Sequence, residues 1–249
     1  MVNNPFKYES HRFGLEKSED AVSWNVFRSL QEAGLLAQVG EVLTGERAPI
    51  EPHLYLWGLD LSEDRFEPWP LLVTARERFE SNLPVKRPKT EPDIALHVPG
   101  RYLVLIEAKF TSANTCYERG PRKNDKSLTL DELRSIYDDD SLEILDRRRA
   151  QAAPRVYYQL WRNTVFAEWM ARLDHPGTKA FHVNLVREGT EEQSAREFHG
   201  MVADGYQERF RQITWEALYR ATLGERRLRL LQRYFETKTA RLRKAFQVP

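Results

Sequence analysis

The feature that most constrains this chain is a pair of charged residues at the end of an apolar strand. Residues 102–106, Tyr-Leu-Val-Leu-Ile, are almost wholly apolar, and Glu107-Ala108-Lys109 follows them directly. A buried strand normally excludes charge, because removing an unpaired ion from water costs several kcal/mol. Residues two apart on a strand point to the same side. The sequence therefore predicts that Glu107 and Lys109 share one face for a functional reason.

A second strand is predicted directly upstream. Asp93 opens the apolar run 94–98, and Pro99-Gly100 indicates a tight turn between the two strands. From the neighbouring strand of such a hairpin, Asp93 can reach the face that carries Glu107 and Lys109. Two carboxylates and one ammonium at a strand end form a divalent-cation site with a basic group beside it. Such a site has the groups needed for metal-assisted hydrolysis of a phosphodiester.

These residues resemble the signature of the PD-(D/E)xK phosphodiesterase superfamily, the restriction-endonuclease-like nucleases. Pro92-Asp93 stands at the PD position, and Glu107-Ala108-Lys109 stands at the (D/E)xK position. A bare Glu-x-Lys carries little information in a chain with 30% charged residues, but this order of Pro-Asp, turn, apolar run and Glu-x-Lys is much rarer. By order of elements the resemblance covers about residues 15–190, whereas its specific motif is confined to residues 91–109.

The resemblance implies an α/β fold, a restriction-endonuclease-like αβββαβ core with a mixed central sheet flanked by helices. The rest of the sequence agrees with this order. Apolar spacing predicts an opening helix over residues 18–39, and further on a strand at 53–57 and a short helix at 71–81. After the hairpin come an amphipathic helix over residues 154–173 and a β-branched strand over 179–186.

The chain is interpreted as a nuclease-like core, residues 1–205, followed by a basic helical extension, residues 206–249, packed on the core. The polar stretch 111–149 does not suit a minimal core, so it is interpreted as an insertion near the active face, where binding loops tend to lie. It contains a basic loop at 120–126 and a helix that Thr129 is predicted to cap.

Charge separates the extension from the core. Residues 206–249 hold eleven Lys and Arg against four acidic residues, a charge of +7 on a chain whose total is +1. A basic end on a near-neutral chain indicates binding to a polyanion. A solvated helix with Arg–Glu pairs is the alternative explanation.

The resemblance also implies roles for individual residues. Asp93 and Glu107, with the backbone carbonyl of Ala108, are expected to bind Mg²⁺, for which Mn²⁺ can substitute. Lys109 is expected to orient the attacking water or help deprotonate it. Glu19, on the opening helix, is expected to reach the metal directly or through water.

Several of these assignments leave alternatives open. Glu16 and Asp20 could replace Glu19, and acidic residues are in any case favoured at the positive end of a helix. Gln159 fits a glutamine that touches substrate or metal-bound water, but a core amide with satisfied hydrogen bonds is equally ordinary. His97 is predicted to be structural, because about 12 Å of strand separates it from Asp93.

The leading hypothesis is a metal-dependent nuclease that hydrolyses phosphodiester bonds in DNA, in restriction, repair or phage defence. The alternatives are a non-catalytic nucleic-acid- or protein-binding module that keeps the fold, and a nuclease directed at RNA. Superfamily members often dimerise, so a homodimer is left open. The single cysteine, Cys116, favours a reducing cytosol. No apolar run approaches the length of a membrane span, so a cytoplasmic protein without a membrane partner is expected.

Overall fold

The computed structural model describes residues 18–61, 66–83, 89–118, 129–139, 141–242 and 245–248. Its helices are α1 (Glu19–Glu32), α2 (Leu36–Thr44), α3 (Pro70–Glu80), α4 (Leu130–Ile136), α5 (Arg147–Ala152), α6 (Tyr158–Asp174), α7 (Glu192–His199), α8 (Trp215–Thr222) and α9 (Arg229–Arg241). Its strands are β1 (His53–Leu56), β2 (Leu59–Asp60), β3 (Glu67–Pro68), β4 (Ile94–Val98), β5 (Tyr102–Ala108), β6 (Cys116–Glu118), β7 (Arg155–Tyr157), β8 (Lys179–Val186) and β9 (Phe210–Thr214).

The described strands form a mixed sheet in the order β3-β2-β1-β4-β5-β8-β9, and β6 pairs with β7 in a separate ribbon. β4 pairs antiparallel with both β1 and β5, whereas β5, β8 and β9 run parallel. Strand β5 therefore lies where the antiparallel half of the sheet meets the parallel half. This mixed sheet, with helices on both faces, confirms the predicted α/β class.

The two faces of the sheet carry two separate hydrophobic cores. On β5, Tyr102, Val104 and Ile106 belong to the core that includes residues of α1, α2, α8 and α9. The alternate residues Leu103 and Leu105 belong to the core that includes residues of α3, α4 and α6. Because side chains alternate along a strand, Glu107 continues the second set and points towards α6.

Several predicted elements are confirmed to within one residue, and two differ more widely. The hairpin is formed by β4 and β5, and β8 has the predicted bounds. The predicted helix 18–39 is instead two helices, because Gly34 adopts φ +64°, a left-handed conformation that ends α1. The predicted helix 154–173 begins only at Tyr158, since Arg155–Tyr157 pairs with β6.

The helical description of residues 206–249 needs one correction. Phe210–Thr214 is a strand parallel to β8, so this part of the segment belongs to the core sheet. It supplies hydrogen-bond partners to the edge of β8, which would otherwise present unpaired backbone groups. The residues that follow are helical in α8 and α9, as predicted.

The insertion contributes β6, α4 and the start of α5. Thr129 caps α4 in the predicted capping box with Glu132, while the basic loop at 120–126 falls outside the described residues. Among the helices described here, none combines the length and the apolar character that crossing a membrane requires.

Gly58 provides a test of packing beside the hairpin. It has φ +75°, and an added Cβ would collide with the side chain of Leu72 in α3. Gly58→Ala is expected to lower the free energy of unfolding by about 2 kcal/mol, through both backbone strain and overpacking. Gly177→Ala is the control, because Gly177 has φ +89° and open space around it. Equal losses in the two variants, measured by urea denaturation, would contradict the predicted collision.

His182 is a buried imidazole between β8 and α6. The Thr164 hydroxyl donates to the Leu160 carbonyl at 2.8 Å, and its oxygen lies 2.8 Å from His182 Nδ1. Since the hydroxyl proton is already used, Nδ1 carries the imidazole proton and donates to Thr164. The buried Nε2 has no hydrogen-bond partner among the described residues. Burial, helped by the charge of Arg162, lowers the pKa of His182 to about 3.

This lowered pKa predicts a loss of stability in mild acid. Below pH 6.5 the unfolded chain takes up a proton at His182 that the folded protein does not, so stability falls as the pH falls towards 3. Between pH 7 and pH 5 the contribution is about 2 kcal/mol. His182→Gln, which cannot be protonated in this range, should show a correspondingly shallower decline in urea denaturation. A decline as steep as in the wild type would contradict the assignment.

Candidate active site

Asp93 immediately precedes β4 and is held against the end of β5. Its Oδ2 accepts a hydrogen bond from the backbone N–H of Ala108 at 2.9 Å. Its backbone carbonyl accepts from the N–H of Trp57 at 3.2 Å. Asp93 therefore lies beside the residue that separates Glu107 from Lys109.

Glu107 is a buried carboxylate with three side-chain donors, and only 2% of the residue is exposed. Lys109 Nζ donates to Oε1 at 2.7 Å, and Gln159 donates to the same oxygen. Asn163 Nδ2 donates to Oε2 at 2.8 Å. Gln159 and Asn163 are four residues apart on α6, so they lie on the same side of that helix. One face of α6 thus fixes both oxygens of Glu107.

Lys109 is buried among carboxylates. Burial disfavours its ammonium form, but the charges of Glu107, Asp93 and Glu19 outweigh this and raise the pKa of Lys109. Its backbone is fixed as well: its N–H donates to the Leu185 carbonyl at 2.8 Å, and its carbonyl accepts from Trp215 Nε1 at 3.0 Å. Lys109 is therefore a well-anchored cation at neutral pH.

Glu19 lies at the start of α1 and binds the loop that follows Lys109. Its Oε1 accepts from the N–H groups of Phe110 at 2.9 Å and Ser112 at 3.1 Å, and from the Ser112 hydroxyl at 2.7 Å. Burial raises the pKa of Glu19, but these hydrogen bonds and the charge of Lys109 outweigh it and leave the pKa lowered. Glu19 is thus close to the cluster and anchors its loop.

The other two acidic residues of the opening segment are placed differently. Asp20 accepts a hydrogen bond from Trp57 Nε1 at 3.0 Å, and Glu16 lies outside the described residues. His97 Nε2 lies 3.2 Å from Asp174 Oδ1, at the end of β4 opposite Asp93. This position agrees with the structural role predicted for His97.

Two tryptophans that hold the backbone of the motif were not anticipated from the sequence. Trp57 donates to the Asp93 carbonyl, and its backbone has φ +54°, which is rare for a bulky residue. Trp215 donates to the Lys109 carbonyl from 106 residues further along the chain. For Trp57, its place directly before Gly58 at a strand end was the one local sequence signal of such a role. The sequence around Trp215 gave no such signal.

The donor set suits a hard divalent cation. Asp93 and Glu107 supply acceptor-only carboxylate oxygens, and Mg²⁺ usually takes one or two carboxylates and fills its other positions with water and phosphate oxygens. In the described part of the chain, no three His, Cys, Asp or Glu side chains are grouped so as to hold a metal by themselves.

The mixed sheet, with Asp93, Glu107 and Lys109 at the end of its central hairpin, defines a restriction-endonuclease-like protein. Residues 17–238 match the family described as restriction endonuclease associating with ARP, and the chain belongs to this family. The match confirms the restriction-endonuclease-like family predicted from the sequence. Comparisons with curated proteins and with solved structures gave no match.

Charge balance in the cluster predicts unequal effects on stability. Lys109→Met removes the cation that compensates Glu107, Asp93 and Glu19, and should lower the free energy of unfolding by about 3 kcal/mol. Glu107→Gln should have a smaller effect, because Lys109 keeps two carboxylates nearby. Urea denaturation in EDTA measures both losses. Lys179→Met, which removes an exposed partner of Glu46, should lose less than about 1 kcal/mol. A larger loss for Glu107→Gln than for Lys109→Met would contradict this charge balance.

Proposed function

We propose that this protein is a divalent-metal-dependent nuclease that hydrolyses phosphodiester bonds in DNA. The observation that carries the proposal is the buried contact of Lys109 with Glu107 at the strand end that also binds Asp93. An ion pair that only stabilised the fold would not explain why the Asp93 carboxylate is hydrogen-bonded to Ala108, the residue between Glu107 and Lys109. Membership of the restriction-endonuclease-like family supports a nucleic-acid substrate.

Asp93, Glu107 and the carbonyl of Ala108 would hold Mg²⁺ or Mn²⁺. When bound, the cation supplies the Lewis acidity that phosphodiester hydrolysis needs. Glu19 would contribute through its second oxygen, Oε2, since its hydrogen bonds to the loop all end on Oε1. Gln159 and Asn163 would keep Glu107 in one orientation, and Gln159 is close enough to the carboxylate to contact substrate or water beside it.

Lys109 would act as a cation in this reaction. In the metal-free protein the surrounding carboxylates raise the pKa of Lys109, so it carries its proton before a metal binds. The ammonium can orient the attacking water and stabilise the negative charge that develops on the phosphoryl oxygens.

The C-terminal basic helix would hold the DNA backbone. Exposed arginines at and just before α9 include Arg226, Arg229, Arg233 and Arg241. The buried side of the same helix reaches the active-site loop, because Lys238 Nζ lies 5.3 Å from the ring centre of Phe110, the residue after Lys109. A phosphate backbone bound by these arginines would be held with an affinity that falls steeply as salt rises. A homodimer and a cytoplasmic location stay predictions.

Cleavage of supercoiled plasmid with Mg²⁺ or Mn²⁺ tests the proposal. Wild type should nick or linearise the plasmid, EDTA should abolish this, and Lys109→Ala should reduce the rate by about 10²–10⁴-fold. Lys179→Ala is the matched lysine control, because Lys179 lies at the opposite end of the parallel strands, and it should cleave like wild type.

Single-stranded DNA and RNA tested in parallel distinguish the alternatives. Cleavage of RNA alone would replace DNA as the substrate class. If the wild type cleaves none of these substrates and calorimetry detects no Mn²⁺ binding, the catalytic proposal is wrong and a binding module that keeps the fold takes its place.

A further inference from the structure

Side chains of helix α3 bind Thr90, which lies shortly before Asp93. Glu80, the last residue of α3, is 1% exposed, and both of its oxygens accept from the N–H of Thr90, at 2.8 and 3.1 Å. The Thr90 hydroxyl also donates to Glu80. Arg76 Nε donates to the Thr90 carbonyl at 2.6 Å. Both backbone polar groups of Thr90 are therefore held by side chains of one helix.

The end of α3 is an unfavourable place for a buried carboxylate, which indicates that Glu80 has a specific role in holding Thr90. A buried carboxylate has to be hydrogen-bonded to replace its contacts with water, and the C-terminus of a helix is the negative end of its dipole. Thr90 lies three residues before Asp93, and Pro92 between them has a fixed φ. Because this segment is short and stiff, fixing Thr90 restricts where Asp93 can lie.

Glu80 is also connected to the opposite side of the site. Its Oε1 accepts from the Tyr137 hydroxyl at 3.0 Å, and the Tyr137 and Tyr158 hydroxyls lie 3.1 Å apart. Since Tyr137 uses its one proton on Glu80, Tyr158 donates to Tyr137. Tyr158 is the first residue of α6 and precedes Gln159, which binds Glu107. The Arg162 guanidinium packs 4.9 Å from the centre of the Tyr158 ring.

The Tyr137 hydroxyl therefore joins α3, which holds Thr90 before Asp93, to α6, which holds Glu107. We propose that Glu80 and Tyr137 are positioning residues that set the separation of Asp93 and Glu107, and with it the affinity of the site for a divalent cation. The part concerning the cation rests on the proposed function. The positioning role does not rest on the proposed function, because it can be measured in the metal-free protein.

Tyr137→Phe tests the proposal with the smallest change. It removes the hydroxyl and keeps the ring that packs against Phe79 and Phe166. Glu80→Gln is the second variant, because the amide replaces one of the acceptor oxygens. The matched control is Tyr157→Phe, which removes a comparable hydroxyl–carboxylate bond, of 3.1 Å to Glu197, outside the connection.

Two measurements test the positioning role and the effect on cation affinity separately. Hydrogen exchange followed by NMR on the metal-free protein reports the Ala108 amide, whose partner is Asp93 Oδ2. This amide should exchange about 10-fold faster in Tyr137→Phe and Glu80→Gln and at the wild-type rate in Tyr157→Phe. Calorimetric titration with Mn²⁺ should show affinity about 10-fold weaker in the first two variants and unchanged in the control.

The outcomes distinguish a failure of this inference from a failure of the proposed function. A folded Tyr137→Phe with wild-type exchange at Ala108 overturns the positioning role, whether or not the protein binds Mn²⁺. Faster exchange with unchanged Mn²⁺ affinity overturns the link to the cation. If the wild type binds no Mn²⁺, the proposed metal site fails and the positioning role is decided by the exchange rates alone.

Discussion

The structure is organised around the burial of the Glu107 carboxylate at the end of an apolar strand. Such a group is tolerated only where it is paired and hydrogen-bonded, and the surrounding elements meet this need. Lys109 supplies the counter-charge, α6 supplies two amides, and the parallel neighbour β8 fixes the backbone of Lys109. Removing Lys109 would leave the Glu107 charge in the core without compensation, and removing the amides would leave its oxygens short of hydrogen bonds.

The charges at the cluster and on the C-terminal helix have opposite signs and act over different ranges. Asp93, Glu107 and Glu19 surround a single ammonium, so the immediate surroundings of Lys109 attract cations and repel a phosphate backbone. The arginines of α9 repel cations and attract a phosphate backbone. Exposed charges act over about 10 Å at moderate salt, so the positive potential of α9 and the negative potential of the cluster each dominate only near their own residues.

The hairpin and its charged end could be predicted from the sequence because their information is local. Strand period, one turn and three motif residues lie between residues 91 and 109. The pairing of β9 with β8 could not be predicted, because a five-residue strand carries no local signal for its partner, from which α7 separates it in the chain. Glu19 was found as an acid on the first helix, but its contact with Phe110 and Ser112 depends on how α1 packs.

The contact between Trp215 and the Lys109 carbonyl has a consequence for how the protein is made. The ribosome synthesises residue 109 well before residues 210–215, and domains form as the chain emerges. Until those later residues appear, β8 lacks its outer neighbour and the backbone of Lys109 lacks one of its two anchors. A partly synthesised chain therefore carries the complete motif without the complete site, and the arrangement around Lys109 closes only after residue 215 has been synthesised.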